Sequence, residues 1–87
     1  MKKLSEDLIN FFQNQGYVLV STVDQEGSVH CACKGIVKMD TSGQVYLLDL
    51  YLGKTWRNLK ANPRSSIAAI EEHKFTGYCL KGKARII

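Results

Sequence analysis

The chain has 87 residues, of which 45% are hydrophobic and 23% charged, and its formal net charge is +4. These values are typical of an ordinary globular domain, and no apolar run is long enough to cross a bilayer. The basic N-terminus is followed by an acidic amphipathic segment rather than by the apolar centre of a signal peptide. We therefore expect a single cytoplasmic domain over residues 1–87, with no membrane partner.

The first predicted element is a helix that begins after Ser5. The Ser5 hydroxyl can accept a hydrogen bond from the backbone of the first turn, and Glu6 and Asp7 complement the positive end of the helix. Gly16 can adopt the left-handed conformation that ends many helices. The largely apolar and β-branched run from Tyr17 to Val23 then predicts the first strand.

Two further strands follow on short turns. The turn at 24–27 precedes a predicted second strand over 29–38, in which Gly35 marks either a bulge or a point where another group approaches the backbone. The turn at 40–43 leads into a third strand over 44–50, whose nearly continuous apolar character predicts burial on both faces.

The second half of the chain predicts a short helix and two strands. The helix covers residues 54–61 and ends before Pro63, because the residue before a proline disfavours the helical region. Strands follow over 65–70 and 76–87, and Gly82 marks an expected bend in the last one. Sequential strands, short turns and flanking helices favour a mainly β fold, a small barrel.

The triplet Gly53-Lys54-Thr55 suits a phosphate group. Unpaired N–H groups and partial positive charge gather at a helix start, and an ammonium and a hydroxyl stand beside them here. The triplet lacks the spaced glycines of a P-loop, so a plain solvated helix start stays open as the alternative. The predicted ligand is a phosphorylated cofactor.

The cysteines and the basic residues restrict the choice of partner. Cys31, Cys33 and Cys79 form an odd set without a Cys-x-x-Cys pair, which argues against disulfides and a zinc site and suits a reducing cytoplasm. We expect them to be buried as small hydrophobic residues, with Cys31 and Cys33 on the same strand face. The basic residues are spread out without interleaved aromatics, which favours small anions over nucleic acid.

The order of these segments resembles a known family. The run Val-Ser-Thr-Val-Asp-x-x-Gly-x-Val-His at 20–30, the stretch Gly-Lys-Thr-Trp-Arg-Asn-Leu-Lys-Ala-Asn-Pro-Arg at 53–64, and Thr-Gly-Tyr-Cys-Leu-Lys-Gly-Lys-Ala at 76–84 carry the resemblance. Together they resemble the pyridoxamine 5'-phosphate oxidase-like FMN-binding split barrels. Within that group the chain is more similar to the small FMN-binding proteins than to the true oxidase.

The resemblance implies FMN held at a homodimer interface. It implies phosphate contacts from Lys54 and Thr55 and places Asn58 on the same helix face one turn later. It also implies that the flavin ring lies along the second strand and over the end of the third. The residues matched to the ring are Cys33, Lys34, Gly35, Ile36, Leu48 and Asp49.

The chain also departs from the oxidase pattern. Ala32 stands where the oxidase has an arginine, Leu47 and Leu48 replace a tyrosine and threonine pair, and Gly77 replaces a glutamine. The C-terminal segment that binds pyridoxal-type substrate does not follow, and the last strand stops without a turn, so we expect a longer protein or a partner that covers this end. These departures argue against oxidation of pyridoxamine phosphate itself.

Three functional hypotheses remain from the sequence. The first is a flavin-dependent oxidoreductase, whose FMN exchanges electrons with a small molecule or an electron-transfer protein. The second is a non-enzymatic module that carries FMN, or the related deazaflavin F420, or shuttles electrons. The third is a domain that binds no flavin and serves as a barrel scaffold or an anion-binding domain. His30 and His73 have no nucleophile or paired acid placed by the sequence, so we assign no catalytic residue and no metal ligand.

Overall fold

The computed structural model of the chain describes residues 3–48 and 53–86. Five strands and two helices occupy these ranges. The helices are α1 (Glu6–Gln15) and α2 (Lys54–Ala61). The strands are β1 (Tyr17–Val23), β2 (Val29–Met39), β3 (Val45–Leu48), β4 (Arg64–Glu71) and β5 (Thr76–Lys83). The mainly β prediction with flanking helices is therefore confirmed.

Helix α1 begins and ends at the predicted residues. The Leu8 backbone N–H donates to Ser5 Oγ at 3.2 Å, which satisfies one of the free donors of the first turn. Gly16 adopts φ 77°, and its N–H donates to the Phe12 carbonyl at 3.2 Å. A residue with a side chain would be strained in this left-handed conformation, so glycine is the suitable helix end here.

The strands form one antiparallel sheet in the order β3-β2-β1-β4-β5. Both helices pack against the face that carries the alternate β1 residues Val18, Val20 and Thr22, all buried. We call this the helix face. The other face, the open face, carries the β1 residues Tyr17 and Leu19 and those in register with them on the neighbouring strands.

The core lies between α1 and the helix face. Phe12 is fully buried in it, beside Val18 and Val20 of β1. The cluster also includes Ala69 of β4, on one side of β1, and Met39 of β2, on the other side. Helix α1 therefore contacts the strands on both sides of β1. Because burial of a large apolar side chain contributes roughly 2 kcal/mol, this cluster fixes the register of the sheet.

Several predictions about the strands are corrected. Residues of β3 alternate between half-buried and exposed instead of being buried on both faces, because β3 lies at an edge of the sheet and the open face is uncovered. β5 ends at Lys83, and Gly82 pairs regularly with Ser65 without a bend. The register shift in β2 lies between Ile36 and Lys38, just after Gly35.

The predicted burial of the cysteines is also wrong. Cys31 and Cys33 do lie on the same side of β2, as predicted, but that side is the open face. Cys79 lies on the open face of β5, and all three thiols are exposed.

None of the helices in the described ranges is long and apolar enough to span a membrane.

Candidate functional site

The start of α2 has no side-chain capping hydrogen bond among the residues that the structure describes. Gly53 precedes the helix with φ −88° and ψ −140°, and no side chain there accepts a capping hydrogen bond. The first turn contains no acidic residue. Uncapped N–H groups and the helix dipole therefore create a local positive potential next to the Lys54 ammonium.

Thr55 and Asn58 are the buried residues of this helix, and Asn58 anchors it to the sheet. Asn58 is 6% exposed, and its Nδ2 donates to the Thr22 hydroxyl of β1 at 3.1 Å. Thr55 is 4% exposed, and its Oγ1 has no hydrogen-bond partner within the described parts of the chain. A buried hydroxyl without a partner costs free energy, so a ligand group that reached this atom would remove that cost.

A groove of about 440 Å³ lies between α2 and the turn that joins β1 to β2. Lys54 and Arg57 line it together with Asp24 and Glu26 of the turn between β1 and β2. The Lys54 ammonium lies 3.7 Å from Asp24 Oδ2. An anion at the helix start would therefore compete with Asp24 for Lys54.

The Asp24 carboxylate is held by its own turn. Its Oδ1 accepts from the backbone N–H groups of Ser28 and Glu26, each at 2.9 Å. The hydrogen bond from Ser28 is the largest cause that lowers the pKa of Asp24. The bond from Glu26 and the charge of Lys54 act in the same direction, against some desolvation. The turn thus holds the Asp24 carboxylate in a fixed position close to the Lys54 ammonium.

The strand residues of the predicted site form a second group, on β2 and β3. Gly35 pairs with Tyr17 on one side and with Leu48 on the other. Tyr17 is 44% exposed and Leu48 52% exposed, and a Cβ added to Gly35 would meet nothing within 4 Å. These three residues make a flat apolar platform on the open face, and Cys33 lies two residues along the same side of β2.

The structure separates the predicted residues into these two groups. Lys54, Thr55 and Asn58 lie together on α2, over the helix face, whereas Cys33, Gly35 and Leu48 share the open face. Lys34 and Ile36 alternate with them and face the helix side, where Ile36 packs against the core. Asp49, the remaining predicted contact, lies outside the described residues.

Sequence reasoning missed a third feature, a groove of about 670 Å³ on the open face. Arg64 of β4 and Lys81 and Lys83 of β5 line it, with several serine residues. The alternation of Lys81 and Lys83 along one strand is the sequence feature that could have indicated this groove. The register that places Arg64 beside them could be read only from the structure.

Residues 4–87 match the family model described as pyridoxamine 5'-phosphate oxidase. The chain belongs to the pyridoxamine 5'-phosphate oxidase family. The family resemblance expected from the three sequence segments is thereby confirmed. No curated protein matches the chain.

Solved structures from this family share the fold of the chain. A candidate pyridoxamine 5'-phosphate oxidase from Lactobacillus delbrueckii superposes with a TM-score of 0.81 at 24% identity, over 93% of this chain and 66% of that protein. A Clostridium acetobutylicum protein of the pyridoxinephosphate oxidase family, related to general stress protein 26 of B. subtilis, gives 0.77 at 19% identity, over 92% and 59%. The predicted split-barrel fold is therefore confirmed.

A third structural relative carries a different name. HutZ, the heme storage protein of Vibrio cholerae, superposes with a TM-score of 0.75 at 21% identity, over 100% of this chain and 64% of that protein. The chain thus spans about two thirds or less of the length of each of these three proteins. At these identities the similarity concerns the fold alone.

Proposed function

We propose that this chain binds FMN, with the phosphate at the start of α2, and acts as a flavin-dependent oxidoreductase. The Thr55 hydroxyl carries the proposal, because it is a buried polar atom without a hydrogen-bond partner in the described ranges, and a ligand oxygen would satisfy it. The Lys54 ammonium and the uncapped helix start beside it supply positive charge for a phosphate. Asn58 holds the helix in place through Thr22.

The platform on the open face is a suitable binding surface for the flavin ring. Gly35 leaves the backbone accessible between Tyr17 and Leu48, and a planar ring can pack against glycine where a side chain would hold it off. FMN, when bound, supplies the electron or hydride transfer. The residues of this chain bind the phosphate, orient the ring and exclude water.

The placement of the two groups supports a homodimer. The helix residues and the ring platform lie on opposite faces of the sheet, so one chain does not surround a ligand with both groups. We propose that a second copy completes the pocket. The exposed platform residues Tyr17 and Leu48 also provide apolar surface that such a partner would bury.

A second hypothesis assigns the same site to a carrier. A non-enzymatic module for FMN or F420, or an electron shuttle, needs the phosphate site and the platform but no turnover. The FMN-loaded protein, mixed with NADH or NADPH, separates the two functions. With dissolved oxygen as the electron acceptor that reoxidises the flavin, steady-state oxidation of the reduced nicotinamide supports the oxidoreductase, and stoichiometric binding without turnover supports the carrier.

Replacement of Lys54 tests the phosphate assignment. Lys54→Ala should weaken FMN binding roughly 10- to 100-fold, since charge-assisted hydrogen bonds contribute roughly 1.5–3 kcal/mol. Riboflavin, which lacks the phosphate, should bind the variant and the unaltered protein equally. Flavin fluorescence titrations provide both dissociation constants.

Lys74→Ala is the matched control, because Lys74 lies in the exposed turn between β4 and β5, away from α2. An equal loss of FMN and riboflavin affinity in Lys54→Ala would contradict the assignment. Haemin is the competing ligand to titrate in parallel, since one structural relative is named as a heme storage protein.

A further inference from the structure

Three cationic side chains meet on the open face where β4 begins and β5 ends. Arg64 lies directly opposite Lys83, and Lys81 lies directly opposite Ser66 in the same ladder. Side chains at opposite positions have Cβ atoms about 5 Å apart, and like charges in such pairs destabilise a sheet. Among the described residues, no carboxylate lies within ion-pair distance of these three cations. An anionic ligand would remove this repulsion.

The groove around them combines two chemical surfaces. Ser66 is also the register partner of Ser21 on β1, so hydroxyl groups from neighbouring strands lie beside Lys81. The opposite wall is apolar and consists of Val23 and Val29, the latter 72% exposed. The groove has a volume of about 670 Å³, which suits a small organic molecule.

We propose that this groove binds a small organic anion. The phosphate or carboxylate group of the ligand contacts Arg64, Lys81 and Lys83, and its apolar body packs against Val23 and Val29. Charge complementarity supports the anionic head, and the exposed valine wall supports an apolar body next to it. None of these residues belongs to the predicted FMN contacts, so the proposal does not rest on FMN binding.

The lining argues for a small ligand rather than a nucleic acid strand. No aromatic residue lines the groove in the described part of the chain, whereas single strands bind through stacking of bases on aromatic rings. The cations form one cluster at the end of two strands and do not continue along the sheet as a track.

The test uses 1-naphthyl phosphate as the probe and the full chain as the protein. Calorimetric titration should show saturable binding roughly tenfold tighter than that of inorganic phosphate, because the naphthyl group buries apolar area against the valines. Neutral 1-naphthol should bind at least tenfold more weakly than the phosphate ester. A parallel titration with 1-naphthoate determines whether the groove prefers phosphate or carboxylate.

Charge-removing variants locate the probe. Lys81→Gln should weaken 1-naphthyl phosphate about threefold, as expected for one exposed ionic contact, and the Lys81→Gln/Lys83→Gln variant about tenfold. Lys74→Gln, the same change outside the groove, should have no effect. Val29→Asp should abolish binding by repulsion, whereas the near-isosteric Val29→Thr should retain most of it. Unchanged far-ultraviolet circular dichroism of each variant controls for folding.

Three outcomes would overturn the proposal. The first is no saturable binding of 1-naphthyl phosphate at millimolar concentration. The second is a loss of binding in Lys54→Ala but not in the double lysine variant, which would place the anion at α2. The third is tighter binding of a single-stranded oligonucleotide than of the probe, with the same dependence on Lys81 and Lys83, which would make the groove a nucleic-acid site.

Discussion

Thr55 is the residue on which the proposed phosphate site depends most directly. Its side chain is buried while its hydroxyl makes no hydrogen bond within the described residues, an arrangement that costs roughly 1–3 kcal/mol. The neighbouring Lys54 keeps half of its side chain in solvent, so it can reach a ligand. A bound phosphate oxygen would compensate the cost at Thr55.

Thr55→Val should therefore separate stability from binding. Valine has nearly the same shape and removes the unsatisfied hydroxyl, so the free energy of unfolding of the ligand-free protein should rise by about 1 kcal/mol. FMN affinity should fall, because the hydroxyl contact is lost. Urea denaturation measures the first change and flavin fluorescence the second.

Thr55→Ser is the matched control, since it keeps the hydroxyl and loses only a methyl group. It should retain FMN binding and lose stability through the small cavity. A Thr55→Val variant that binds FMN as well as the unaltered protein would show that the hydroxyl does not contact the ligand.

At the scale of elements, the turn between β1 and β2 controls the charge near α2. Hydrogen bonds from Ser28 and Glu26 and the nearby Lys54 lower the pKa of Asp24 in the folded chain. A carboxyl group with a lowered pKa stabilises the fold above its unfolded pKa, and this contribution disappears as the pH falls through the folded value. This loss of stability therefore occurs below about pH 4.

Asp24→Asn should weaken the dependence of folding stability on pH in the acid range. The free energy of unfolding, measured by urea denaturation between pH 5 and pH 2.5, should fall less steeply in the variant than in the unaltered protein. Asp40 and Glu71, whose pKa values are also lowered, should cause the part of the pH dependence that remains in the variant. Parallel profiles would mean that Asp24 has the same pKa in the folded and unfolded chains.

The ends of the helices could be predicted from the sequence where a single residue determines them. Ser5 and Gly16 fixed α1, and Pro63 fixed the end of α2, because caps and proline act within one turn. Burial was less predictable. The spacing of Cys31 and Cys33 placed them on one face, but only the packing of both helices on the other face decided that they are exposed.

At the scale of the whole molecule, the sheet has one covered and one open face. The sequence predicted that Lys54, Thr55 and Asn58 would lie on one helix, because their spacing follows the helical repeat. It could not predict that Gly35 and Leu48 would lie on the opposite face, nor that Arg64 would face Lys83, because strand register depends on long-range pairing. This division of faces supports the homodimer that the family resemblance implies.

FMN-dependent thermal unfolding of the unaltered chain tests the central proposal most directly. A ligand that binds only the native state stabilises it by about 2.7 kcal/mol at a concentration one hundred times the dissociation constant. For a domain of this size, that corresponds to an increase of roughly 10–20 °C in the midpoint. We predict a midpoint that rises with the logarithm of the FMN concentration, and a midpoint that stays constant up to about 1 mM FMN would contradict FMN binding.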